Sequence, residues 1–130
     1  MAGKWVDEGE NRVADILFDD QAVDAFLYLG LYTDIAEPAE TDALADLTEE
    51  SGSGYARIRL DRGTWTIAAD AASYAQQTFT AIAAWGLVYG YFISTGPAAS
   101  VLLCVETFSD GPYNVGLGDS VKVTPKITVA

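Results

Sequence analysis

A chain of 130 residues, half of them hydrophobic and well supplied with Tyr, Phe and Trp, is long enough to bury one core and too apolar to be disordered. It has no histidine and a single cysteine, Cys104, which removes the commonest general base, the Ser-His and Cys-His pairs, an intramolecular disulfide and a thiolate zinc site. A net charge of −12 disfavours nucleic acid, whose binding requires neutralised phosphates, and keeps copies soluble through mutual repulsion.

The start "MAGKWVDEGEN" lacks an apolar stretch, so no secretory signal is expected. The spacing then predicts an amphipathic helix over about residues 8–20. Asp7 is its N-cap, Glu10 completes a capping box, and Val13, Ile16 and Leu17 share one face. From residue 23 to 129 the pattern is β. In "AFLYLGLYT" Leu27, Leu29 and Leu31 alternate with Phe26, Tyr28 and Tyr32, as in a strand covered on both faces. An acidic connection follows over about residues 34–54, with one helical turn at Ala43 to Leu47 and a Ser-Gly turn at its end. Its Glu49-Glu50 pair, like Asp19-Asp20, reads as solvated surface rather than as a glycosidase pair. Of the 19 acids, 14 lie in residues 1–50 against two bases, while residues 51–130 are neutral.

"YARIRL", "TWTIA", "SYAQQTFTAI", "LVYGYFIS" and "SVLLCVET" read as successive strands punctuated by Gly, Pro and Ser. The last strand, "SVKVTPKITV", contains Pro125, which cannot donate to a ladder and marks an edge or a bulge. The run from Asp70 to Glu106 is uncharged but broken by Gln, Thr, Tyr and Gly. It predicts paired strands covered by the core and a neighbouring subunit, not a membrane span. The expected fold is one mainly β domain: an antiparallel β-sandwich or small, jelly-roll-like barrel with one N-terminal amphipathic helix.

Candidate chemistry is sparse. Asp110, Asn114 and Asp119 offer oxygen ligands in "DGPYNVGLGD", but the spacing is not that of a calcium loop, and two turns explain it better. Cys104 among apolar neighbours reads as a buried, inert thiol. Ser51, Ser53 and Ser120 have no histidine to activate them. No enzyme, metal or cofactor is expected. Arg57 and Arg59 on one strand face, with Arg62 at the next turn, either compensate the acidic half or dock onto an acidic protein surface. On the second reading, Arg57→Glu with Arg59→Glu weakens docking without unfolding the chain. Trp65 and Trp85 read as core, and Trp5 as a staple for the helix or a contact to a partner.

The order of "ENRVADILFDD", "YLGLYT", "GYARIRL", "VYGYFI" and a closing "GD" turn before "VTPKIT" resembles small tailed-bacteriophage virion proteins of the capsid decoration (cement) type. The resemblance implies a β-rich structural protein made in the host cytoplasm. It would bind the major capsid protein on the capsid exterior and self-associate, with a trimer as the expected assembly. It carries no agreed binding motif, so Trp5, Arg57, Arg59 and Arg62 stand as interaction candidates on the reading of the residues alone. The alternative is a tail or fibre-associated adhesion module that presents Trp5 to a host-surface glycan or protein.

Overall fold

A computed structural model of the chain describes residues 4–128. A short strand, β1 (Lys4–Trp5), leads through buried Val6 into the helix α1 (Asp7–Phe18). There follow β2 (Phe26–Tyr32), a 3-10 turn at Leu44–Asp46, β3 (Ile58–Asp61), β4 (Thr66–Ala68), β5 (Ala71–Ser73) and β6 (Gln77–Thr80). The chain continues with β7 (Gly86–Val88), β8 (Gly90–Ser94), β9 (Leu102–Thr107), β10 (Tyr113–Val115), β11 (Ser120–Val123) and β12 (Lys126–Thr128). Every pairing among these strands is antiparallel.

Five strands in the order β1-β9-β8-β2-β3 form the main sheet, and β12-β5-β4, β11-β6 and β10-β7 form three small ones. The main sheet does not close on itself, so the architecture is sandwich-like rather than a barrel. Alternation in β2 and β8 supplies both faces. On one, Leu29, Leu31, Tyr91 and Ile93 meet Phe79, Val121, Val123 and Ile127 from the small sheets. On the other, Tyr32, Phe92 and Val105 are covered by Val6, Leu44 and Leu47. The acidic connection is therefore a lid with an apolar underside. It is laced to the end of β2 by Thr33 N–H donating to Thr48 O at 2.8 Å and Glu50 N–H donating to Leu31 O at 3.0 Å.

Several expectations are refined. The β-domain begins before the helix, because β1 pairs with β9 at the sheet edge. "SYAQQTFTAI" and "LVYGYFIS" each break into two strands, and "YARIRL" is a strand only from Ile58. Pro125 divides the last strand into β11 and β12. It is fully buried, and its carbonyl accepts the Tyr74 N–H at 3.0 Å. Val129, expected in that strand, lies outside the described residues.

The helix departs most from expectation. Asp7 is its first residue, and Val6 takes the N-cap position with no side-chain bond. The Asp7 N–H donates to Glu40 O at 2.8 Å, and Glu8 reaches across to accept the Leu102 N–H at 2.8 Å. Tertiary acceptors and donors thus replace the local capping box. Nor does the helix dock through its apolar stripe. Its only buried residue is Gly9, which lies against the backbone of Leu103, where any Cβ would overlap the carbonyl. Val13 is exposed, and Leu17 and Phe18 are 68% and 86% exposed.

Candidate interaction surface

The three arginines do not form a cluster. Arg57 is an internal clamp, its side chain 7% exposed. Nε donates to Glu49 Oε2 and Nη2 to Glu49 Oε1, both at 2.8 Å, a bidentate pair. Nη1 donates to the carbonyls of Gly96 and Ala98 at 2.8 and 2.6 Å. The guanidinium also stands 5.1 Å from the Phe92 ring centre. Tyr55 completes the network, donating to Glu49 Oε2 at 2.5 Å while its oxygen accepts the Leu31 N–H at 3.1 Å. Burial and then the bond to Glu49 push the Tyr55 hydroxyl up, so it remains a neutral donor. The bond to Glu49 likewise raises Arg57, which holds its charge. Charge compensation is what Arg57 does, with its donors turned inward to Glu49 and to the carbonyls of Gly96 and Ala98.

Arg59 is exposed. It pairs with Asp61 at 3.1 Å and lies 4.3 Å from the Phe26 ring centre. Arg62, exposed in the turn after β3, makes no ion pair or hydrogen bond among the described residues. It stands on the rim of an open cleft of about 350 Å³ lined mainly by Trp5, Val13, Ile16, Leu27, Trp65 and Ile127. Arg12, paired with Asp24 at 3.1 Å, also lines it. Trp5 is fastened there by its indole N–H donating to Thr128 O at 3.0 Å. It therefore joins β1 to the chain end and presents its ring as a wall. Trp65, another wall, packs edge-on to Tyr74 at 5.2 Å. Trp85, like Trp5 and Trp65 partly buried against the core, donates to Ser53 O at 2.9 Å and packs against Tyr55. The structure thus brings Trp5 and Arg62 together at one hollow and assigns Arg57 elsewhere.

The carboxylates read as solvated are corrected in part. Glu49 is held by Arg57. Glu50 is buried, with Oε2 accepting the N–H groups of Ser51 and Gly52 at 2.9 and 2.8 Å to set the Ser-Gly turn. Asp19 and Asp20 are exposed. In the loop that opened the calcium question, β10 separates two turns. Asp110 accepts the Tyr113 hydroxyl, which that bond holds up at about 12, and Asp119 Oδ2 accepts the Gly116 N–H at 2.8 Å. Asn114 is exposed within β10. Each carboxylate serves its own turn. Cys104 is fully buried in β9, and burial pushes its thiol well up, which makes it inert.

Nothing in the local sequence marks Glu106, yet it meets Tyr91 in the packed region beside Lys126. The Tyr91 hydroxyl donates to Glu106 Oε2 at 2.5 Å and accepts the Lys126 N–H at 3.3 Å. Burial raises the Glu106 carboxyl above its ordinary range, outweighing the bond from Tyr91. The folded chain thus binds this proton more tightly than the unfolded chain. Ionised Glu106 opposes folding at neutral pH, and that penalty fades as pH falls through its raised pKa. Glu106→Gln, whose amide oxygen still accepts from Tyr91, is expected to raise the thermal midpoint at neutral pH by the equivalent of roughly 1 kcal/mol or less. Melting curves at neutral and acidic pH check this, since the gain should vanish in acid.

Among the described residues no helix is long and apolar enough to cross a membrane. The uncharged run is the set of strands β5 to β8 with the start of β9. No protein-family model matches this chain, and comparison with curated proteins finds no significant match.

Proposed function

We propose that this chain is a structural virion protein of the capsid decoration type, a homo-oligomer that binds the major capsid protein on the outside of a tailed-phage head and bridges neighbouring subunits. In this reading it is a building block and not an enzyme. The observation that carries it is the presence of two apolar exposures built from different elements. One is the cleft beside α1, with Trp5 and Arg62. The other holds Ile82 and Leu117, both exposed. Hydrogen bonds of 2.9 Å from Ala81 N–H to Asp119 O and from Gly118 N–H to Ala81 O hold the loops of Ile82 and Leu117 together. Apolar patches on an otherwise acidic chain suit contact with other proteins, and two of them let one copy join two neighbours. Repeated over a lattice, modest contacts of this kind add up to a stiffer shell.

Quantitative mass spectrometry of purified particles tests the reading. A copy number near that of the major capsid protein is the expected result. A few copies per particle would assign the chain to the tail and favour the adhesion alternative, and its absence from particles would overturn a virion role.

A further inference from the structure

We infer that the cleft beside α1 is a self-association site, which takes the end of that helix from a second copy of this chain. The inference rests on the homo-oligomer of that reading, whose interface it names, and is independent of where the assembly binds. Three features of one surface carry it.

The helix ends in apolar residues turned outward. Leu17 and Phe18 are largely exposed, beside Val13 and Ile16 at the mouth of the hollow. Water penalises such a surface, and burial against apolar walls removes the penalty. The same helix also ends against its own dipole. Its last turn has no basic residue, and Asp19 and Asp20 follow directly, where the final carbonyls already gather negative potential. Neither carboxylate has an ion-pair partner among the described residues. Asp20 is moreover held at a φ of 54°, in the left-handed region. The cleft offers the complement, an apolar hollow with the uncommitted cation Arg62 on its rim, while the other cation lining it, Arg12, is taken by Asp24.

An aromatic beside two carboxylates and a hollow beside an arginine are matching halves on one molecule. A second copy seats Phe18 against Trp5, Leu27, Trp65 and Ile127 and brings Asp19 and Asp20 to Arg62. Because α1 supplies both the inserted end and one wall of the hollow, a two-fold exchange lets each copy give and receive. A partner with no anionic group would leave Arg62 and the helix end as they are, which is why the second copy is favoured.

The test is sedimentation velocity on the purified full chain from low to high micromolar concentration. The parent chain is expected to associate. Phe18→Asp, at an exposed position that leaves the fold unchanged by circular dichroism, should weaken association by about thirtyfold or more, the scale of an anchor residue at an interface. Arg62→Asp should also weaken it, and combining it with Asp19→Arg and Asp20→Arg should restore it, since the swap re-forms the pair with opposite signs. A parent chain that stays monomeric throughout would overturn the inference. So would an assembly indifferent to Phe18→Asp, or a charge swap that fails to recover what Arg62→Asp lost.

Discussion

Replacing Arg57 with alanine is expected to destabilise the fold by about 3 kcal/mol or more, because it takes the bidentate cation from the carboxylate of Glu49 and a charged donor from the carbonyls of Gly96 and Ala98. The clamp joins segments far apart in sequence: Glu49 in the acidic connection, the entry to β3, and the carbonyls of Gly96 and Ala98 between β8 and β9. Its loss also removes the cation above Phe92. Arg57→Glu should be worse, since it sets two carboxylates against each other, and this reverses the expectation that such a change spares the fold. Arg59→Ala is the control. Its pair with Asp61 is about half exposed on both sides and should cost less than about 1 kcal/mol. Urea unfolding of the two variants beside the parent decides the matter, and equal midpoints for Arg57→Ala and Arg59→Ala would refute the clamp.

Gly9→Ala should destabilise by about 2 kcal/mol or more, opposite in sign to the rule for helix interiors, where the same change stabilises by up to about 1 kcal/mol. The new methyl would meet the carbonyl and Cα of Leu103 in β9, backbone atoms that no rotamer change can move aside. The first turn of α1 would have to lift. That would strain the Val6 N–H bond to Leu103 O and the Glu8 bond to the Leu102 N–H, and open the edge where β1 pairs with β9. Thermal unfolding followed by circular dichroism measures the sign directly. A stabilised Gly9→Ala would mean that the helix does not rest on β9 as described.

Both predictions concern contacts that the sequence conceals. Arg57 looks the same as Arg59 and Arg62 when read along the chain, because a basic residue two or three positions from another says nothing about depth. The difference arises at Gly96 and Ala98, some forty residues on, whose carbonyls are brought over Arg57 only when β8 turns back into β9. Glu50 resembles any other acid of the connection until the Ser-Gly turn folds its two N–H groups onto the carboxylate. The apolar stripe of α1 predicted the helix correctly but not which of its residues rests on the sheet. Periodicity records that Val13, Ile16 and Leu17 share a face, while Gly9 determines which part of the helix touches the sheet.

What the sequence by itself determined is local and periodic. The alternation in "FLYLGLY" and "VYGYFI" dictated strands covered on both faces, Pro125 marked an irregularity in the closing strand, and the turn at Leu44–Asp46 falls within the segment expected for it. These follow from backbone chemistry and side-chain period, which act over a few residues. The open, sandwich-like pairing of the sheets, the sorting of three arginines into a buried clamp, a surface pair and a cation on a cleft rim, and the hollow that joins Trp5 to Arg62 were decided only by tertiary structure. Each depends on groups separated by tens of residues, whose approach is set by how the sheets and the helix pack.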